Sequence, residues 1–94
     1  MRYMVTCLPS ALDELANLWN RATDRREITR ASDRIERALT QDAESRGEPY
    51  HGIRRIFVEE PLAVVSSPFP DDCRVFVIQV RRNRTEQKEY DSRV

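Results

Sequence analysis

After residues 1–7, the spacing of apolar residues changes once, close to Gly47, and this change limits the fold class. Before Gly47, apolar side chains return every three or four residues, which is the spacing of one helix face. After it, they occur in short blocks typical of strands, separated by turns that contain proline. Helices followed by strands indicate an α+β arrangement. Because 94 residues leave no room for a second core, we predict one domain.

The first part of the chain is predicted to form a strand followed by a helix. Residues 2–7 show the alternation of a short strand. A helix should then run from about 10 to about 21, with Ser10 as its N-cap. Asp13 and Glu14 would lie in the first turn of this helix, where the helix dipole favours carboxylates.

A second helix is predicted to begin at Asp24, which would cap it, with Glu27 completing a capping box. Gly47 is the expected C-terminal stop. Because only two or three residues separate the two helices, they should pack as an antiparallel hairpin. The apolar stripe of this second helix consists of Ile28, Ala31, Ile35, Ala38 and Leu39.

The rest of the chain is predicted to form three strands. They cover residues 53–58, 62–66 and 73–80, and a turn occupies residues 67–72. Residues 75–78 are apolar at every position, so both faces of the last strand should be covered. This pattern indicates a strand in the interior of the sheet.

Composition and cysteine placement limit the kinds of site that the chain can carry. The 16 basic and 16 acidic side chains balance, whereas proteins that bind RNA along a large surface usually carry a net positive charge. Cys7 and Cys73 have no second cysteine or histidine at metal-ligand spacing, so we expect two buried thiols, no disulfide, and no metal or cofactor. An apolar run long enough to span a membrane and a signal peptide are both missing from the sequence, so we expect a cytoplasmic protein without a membrane partner.

The order of the predicted elements and three stretches of sequence together resemble the RelE/ParE toxin superfamily. The stretches are residues 9–15 at the entry to the first helix, 52–57 at the second strand and 75–82 at the last strand. The resemblance covers residues 2–82. It implies a β-α-α-β-β-β fold, in which the helical hairpin packs on a mainly antiparallel four-stranded sheet. The domain would occupy residues 1–82, followed by a polar tail at residues 83–94.

The same resemblance implies a function in a type II toxin–antitoxin system, of the kind associated with plasmid stabilisation and growth inhibition. RelE-like members cleave messenger RNA on the ribosome, whereas ParE-like members bind DNA gyrase. Both are neutralised by a cognate antitoxin protein. Leu15 and Trp19 on the first helix are the residues that we expect to contact an antitoxin. Self-association, or assembly with the antitoxin into a larger oligomer, stays open.

If the chain is a nuclease, the resemblance places its catalytic residues on the strands and just beyond the last one. Cleavage requires charge at the phosphate and a group that transfers protons. The matching residues are Arg54, Arg55, Arg81, Arg82 and Tyr90. Side chains alternate along a strand, so each arginine pair should divide between the two faces of the sheet.

One stretch departs from the pattern of the nucleases. Residues 62–64 read Leu-Ala-Val where active nucleases and many gyrase-directed members carry an arginine, and the sequence has no basic residue between Arg55 and Arg74. His51 is the single histidine, and it lies in a predicted loop without a nucleophile motif around it. We therefore favour the hypothesis of a ParE-like toxin that binds a protein target such as DNA gyrase. The alternatives are a ribosome-dependent endoribonuclease and a non-toxic relative that only binds a partner protein.

Overall fold

The computed structural model describes residues 2–83, in which two helices pack on one face of a five-stranded sheet. A short 3₁₀ turn, Pro70–Asp72, joins the last two strands. The elements in chain order are β1 Met4–Cys7, α1 Pro9–Arg21, α2 Arg25–Asp42, β2 Glu48–Pro49, β3 Arg55–Glu59, β4 Leu62–Phe69 and β5 Arg74–Arg82.

The strands lie in the order β1-β5-β4-β3-β2. β1 is parallel to β5, and all the other neighbours are antiparallel. The predicted α+β class and the mainly antiparallel sheet are therefore confirmed, with one strand more than the four expected. The additional strand is β2, whose two residues pair with Ile56 and Arg55. A strand of two residues that includes a proline is too short to produce a periodic pattern in the sequence.

The central position of β5 confirms the prediction made from its apolar run. β5 lies between β1 and β4, and Val75, Val77 and Val80 are buried against the helices. The core between sheet and helices also contains Ile28, Ala31, Ile35 and Leu39 of α2, Ala11 of α1, Leu62 and Val64 of β4, and Tyr3.

Helix α1 begins one residue earlier than predicted. Pro9 occupies its first position, Leu8 is the N-cap, and Ser10 makes no capping hydrogen bond. A proline suits this position because its φ is already helical and its missing N–H would have had no partner. Asp13 and Glu14 consequently lie beyond the first turn, contrary to the prediction. Glu14 instead accepts a hydrogen bond from the backbone N–H of Val80 at 3.0 Å, which fastens α1 to β5.

Helix α2 does have Asp24 as its N-cap, but the predicted capping box does not form. The Asp24 side chain makes no capping hydrogen bond, because Arg82 of β5 occupies its carboxylate. Glu27 forms an ion pair with Arg30 on the same helix at 3.2 Å. A long-range partner has therefore displaced the local one that the sequence pattern indicated.

Gly47 is not the end of α2, which stops five residues earlier at Asp42. Its φ is +76°, a conformation that L side chains rarely adopt. A Cβ atom at this position would lie 2.1 Å from the carbonyl oxygen of Ile56. The glycine is needed because the chain passes directly against β3 there.

The bounds of the later strands also differ from the prediction. Ile53 and Arg54 lie in the loop before β3, whereas β4 continues through Pro68 to Phe69. Proline lacks a backbone N–H, so it is found in a sheet where one side of the strand has no neighbour. Such a position exists at Pro68 because β3 pairs with β4 only as far as Ser66.

Both cysteines are free and only partly buried, so the expectation of two buried thiols is wrong. Cys73 lies in the turn before β5 with a φ of 52°, rather than in a strand. Cys7 lies on β1 beside Val77. Four residues separate Val77 from Cys73, so the two thiols are roughly 13 Å apart along the strand direction. That spacing is too long for a disulfide.

Candidate functional site

The candidate site is an apolar groove between α1 and α2, with a volume of about 360 Å³. Both residues predicted to contact an antitoxin, Leu15 and Trp19, lie in its wall. The groove is lined by Leu12, Leu15, Ala16, Trp19, Asn20, Ile28, Thr29, Ser32 and Asp33. We call it the interhelical groove.

The spacing of residues on α1 explains why this groove exists. Ala11, Leu15 and Leu18 pack against the core, as a helix on a sheet requires. Leu12, Ala16 and Trp19 follow the same three- and four-residue spacing on a neighbouring stripe, turned away from the sheet. Leu12 and Trp19 remain 52% and 41% exposed. Apolar surface of this kind, unneeded for the core, commonly marks a binding site.

The Trp19 side chain is held in place by contacts from the start of α2. Its indole Nε1 donates a hydrogen bond to Thr29 Oγ1 at 3.2 Å. The Arg25 guanidinium lies over the indole ring, 4.7 Å from the ring centroid, which is a cation–π geometry. Arg25 also donates to the carbonyl oxygens of Trp19 and Asn20, at 2.9 and 3.0 Å. The indole is therefore fixed before any partner arrives.

Sequence reasoning missed Arg25 and Thr29 as supports of the groove. A signal was available, because Arg25 follows Trp19 across a turn of three residues in a helical hairpin. In such a hairpin the end of one helix meets the start of the next. A cation placed there can reach both the aromatic ring and the free carbonyl groups at the C-terminal end of the first helix.

The face of the sheet that does not contact the helices, here called the far face, is mostly apolar. In β4, Leu62 and Val64 face the helices, and Ala63 and Val65 therefore lie on the far face. The adjoining far-face residues are Ile56 and Val58 on β3 and Phe76, Gln79 and Arg81 on β5. The register between β4 and β5 shifts between Val65 and Ser66, which keeps Val77 and Val80 both on the helix side.

Arg82 lies on the helix side of β5 and binds Asp24. Its Nη2 and Nη1 atoms donate to the two carboxylate oxygens at 2.6 and 3.2 Å. Both side chains are about 30% exposed. Hydrogen bonding from Arg82 lowers the pKa of Asp24 and outweighs the opposing effect of burial. The same bond raises the pKa of Arg82.

The other three predicted arginines lie in different surroundings. Arg55 donates to the carbonyl oxygens of Arg46 and Gly47, both at 2.9 Å, and so fastens the chain that leads into β2. Arg81 is exposed on the far face opposite Ala63, which confirms that Arg81 and Arg82 divide between the two faces. Arg54 is exposed in the loop before β3 instead of on the strand.

The structure does not bring these arginines together into one cluster. Two of them bind groups within the protein, and the other two lie on separate surfaces. Tyr90 lies outside the described residues. His51 is exposed, with its ring edge-on to the Tyr50 ring at a centroid distance of 5.0 Å. The nuclease roles of these residues stay predictions.

Metal-binding and membrane-spanning features were also sought within residues 2–83. No group of three or more histidine, cysteine or acidic side chains in that range is placed to hold a metal ion. The helices described there are also too short or too polar to cross a bilayer.

Comparison with known proteins identifies the fold. No protein-family model matches the sequence, and no curated protein is significantly similar to it. Several solved structures do match in three dimensions, including the following two. One is a chain of the toxin–antitoxin complex RelBE2 from Mycobacterium tuberculosis, with a TM-score of 0.73 and 13% identity, covering 87% of this chain and 92% of that one. The other belongs to the chromosomal ParDE TA system from P. aeruginosa, with a TM-score of 0.65 and 15% identity, covering 86% and 96%.

These matches define the class of protein as a small α+β domain with a helical hairpin on a mixed sheet. Within that class, the chain has the RelE/ParE-like fold. The resemblance stated from the sequence is therefore confirmed at the level of fold. Identities of 13% and 15% support no finer assignment.

Proposed function

We propose that this chain is the toxin component of a type II toxin–antitoxin pair, acting in the cytoplasm through a protein target such as DNA gyrase. The observation that carries the proposal is the shared fold, which extends over 86–87% of the chain in two structures described as toxin–antitoxin systems. A cognate antitoxin would neutralise it. The preference for a protein target over RNA has a separate basis in the distribution of charge.

The described arginines are poorly arranged for RNA cleavage. Transition-state charge on a phosphate is stabilised by cations that converge on one point. Arg82 is already paired with Asp24, and Arg55 with backbone carbonyls. On the far face, Arg74 and Arg81 stand at opposite ends of β5, seven residues or roughly 20 Å apart. Such spacing lets at most one of them reach a given phosphate.

The interhelical groove suits an antitoxin segment that presents apolar side chains. Its wall is largely apolar, and its anchoring indole is fixed by Thr29 and Arg25. Amphipathic helices commonly insert apolar residues into grooves of this kind. Little ordering would be needed on the toxin side, which favours affinity. We therefore assign Leu15 and Trp19 to antitoxin binding within this proposal.

Induced expression without an antitoxin tests the proposal directly. The measurements are growth, integrity of a translated transcript, and supercoiling by purified gyrase with the full chain added. We expect growth arrest, intact transcripts and inhibited gyrase. Transcripts cut only during translation would establish the endoribonuclease alternative. Normal growth in the presence of folded protein would identify a non-toxic relative.

A further inference from the structure

A second group of exposed apolar side chains lies far from the interhelical groove, at one end of the sheet. Met4 on β1 and Phe69 on β4 are 61% and 39% exposed. Both are paired with Arg74 of β5, so the three residues form one row across the sheet. The Phe69 ring packs edge-on against Phe76, with ring centroids 5.7 Å apart. Arg74 therefore lies in the middle of the row, and the aromatic pair beside it is packed together but still accessible.

The loop before β3 adds two more apolar side chains at the same end. Tyr50 and Ile53 are 51% and 56% exposed. Arg55 follows this loop and pairs with Ser66, three residues before Phe69, which places the loop near the end of the row. We call the set of Met4, Tyr50, Ile53, Phe69 and Phe76 the Phe69 surface.

Charged side chains of both signs lie within and beside this surface. Arg74 is exposed in the middle of the row, Arg54 is exposed in the loop before β3, and Asp71 and Asp72 are exposed in the turn that follows Phe69. None of the four forms an ion pair or a side-chain hydrogen bond with another residue of the described range 2–83. A partner of uniform charge would be repelled by two of these four side chains.

Exposed, unpaired charges of both signs make this surface complementary to itself, as a two-fold contact between identical chains needs. In such a contact each residue i meets residue j of the other copy, and j meets i. The acidic turn of one chain would then face the basic strand start of the other. Phe69 and Met4, on either side of Arg74, would be buried in the contact, and the ion pairs would connect the two copies between them.

We propose that the Phe69 surface binds a second copy of this chain, through a two-fold contact in which Arg74 pairs with Asp71 and Asp72 of the other copy. Its position also leaves the interhelical groove accessible, because the groove lies in the helix layer on the opposite side of the sheet. The inference does not depend on the proposed toxin function.

The test measures self-association of the purified full chain by sedimentation equilibrium across a range of concentrations. We expect a monomer–dimer equilibrium that weakens with added salt, since the charges of this surface are exposed. Phe69→Ser should weaken dimerisation at least about tenfold, as loss of a buried aromatic does at interfaces. Val58→Ser is the matched control, because Val58 is 46% exposed and lies at the far end of β3; it should leave the equilibrium unchanged.

Exchanging the charges of the proposed ion pairs gives a test that does not depend on the substitution of Phe69. Arg74→Glu alone, and Asp71→Arg with Asp72→Arg in another chain, should each weaken dimerisation by about tenfold or more through like-charge contacts. An equimolar mixture of these two variants should restore it, because both contacts of the mixed dimer again join opposite charges. A strictly monomeric chain, a dimer insensitive to Phe69→Ser, or a mixture that stays monomeric would each overturn the proposal.

Discussion

The guanidinium of Arg82 donates two hydrogen bonds to the carboxylate of Asp24, joining residues that are 58 positions apart. Asp24 lies where α2 begins, and Arg82 is the last residue of β5. The pair therefore connects the turn of the helical hairpin to the end of the central strand. It also reduces what Arg82 can offer to a ligand, since the Asp24 carboxylate balances its charge and occupies two of its five N–H donors.

Substitution of Arg82 should reduce stability through this pair. We expect Arg82→Ala to lower the free energy of unfolding by about 1 kcal/mol, because the pair is partly exposed but has bidentate geometry. Arg82→Lys should recover only part of the loss, since an ammonium group cannot form the fork. Urea denaturation at pH 7 measures both variants. Arg81→Ala, one residue away and exposed, is the control and should change stability very little.

The pH dependence of this contribution follows from the lowered pKa of Asp24. A carboxyl group whose pKa is lower in the folded state stabilises the fold above its unfolded pKa, and the effect is lost as pH falls through the folded pKa. The ordinary value is 3.8, and the hydrogen bond from Arg82 is the main cause of the decrease. The stability difference between wild type and Asp24→Asn should therefore be constant from pH 7 to about 5, then shrink below pH 4. A difference that grew on acidification would contradict this assignment.

Gly47 and Gly52 provide a matched pair for separating steric conflict from backbone strain. Both have positive φ, at +76° and +54°. An added Cβ at Gly47 would meet the Ile56 carbonyl oxygen at 2.1 Å, whereas nothing lies within 4 Å at Gly52. Gly52→Ala should cost about 1 kcal/mol from conformation alone. We expect Gly47→Ala to cost at least about 3 kcal/mol, because β2 must move away from β3. Thermal unfolding of both variants tests this, and equal costs would show that the close approach is not limiting.

The sequence alone predicted the order of all the helices and strands except β2, since each of the others depends on the local spacing of apolar residues. The interior position of β5 followed from its unbroken apolar run, and α2 from its stripe through Ile35 and Leu39. Leu15 and Trp19 could be chosen as a pair because they lie on one helix. Periodicity records which side of an element is covered, and these features require no more than that.

Features that depend on two distant segments could not be predicted in this way. Gly47 is of a residue type that often ends helices. Only its close approach to Ile56 shows that a glycine is needed there because a side chain would not fit. Asp24 is of a residue type that often caps helices, but its carboxylate accepts hydrogen bonds from Arg82 instead. In both cases the sequence correctly indicated a special position, with an unusual backbone conformation at Gly47 and a carboxylate that needs a partner at Asp24. The partner of each residue depends on the register of the sheet, which the local sequence around Gly47 or Asp24 does not specify.

Tyr3 should make the fold sensitive to alkaline conditions. Its hydroxyl donates to Glu44 Oε1 at 2.8 Å, and burial together with this bond raises the pKa of Tyr3 to about 12. A raised pKa means that the contribution to stability is complete below pH 10 and is lost as pH rises through 12. Tyr3→Phe should lower the free energy of unfolding by about 1 kcal/mol at pH 7. The difference from wild type should then narrow between pH 10 and 12, measured by urea denaturation at each pH.

Trp19 is the residue whose loss should separate binding from stability. Its ring is 41% exposed and contributes little to the core, so Trp19→Ala should change the free energy of unfolding by less than about 1 kcal/mol. A partner that covers the ring would lose an anchor worth about 2 kcal/mol, or roughly 30-fold in Kd. Arg25→Ala should weaken binding less, because it removes the support over the indole and leaves the ring in place.

Calorimetric titration of the wild type and these variants with the proposed cognate antitoxin measures the effect. Val58→Ala is the matched control, since Val58 is similarly exposed but lies on β3, away from the groove. Undiminished affinity in Trp19→Ala, with the control also unchanged, would exclude the interhelical groove as the antitoxin site. A loss confined to Trp19 and Arg25 would instead place the antitoxin at the junction of α1 and α2, where those two side chains meet. In growth experiments on the proposed toxin function, the same variants should then need more antitoxin for rescue, since weaker binding leaves more of the chain unbound at equal expression.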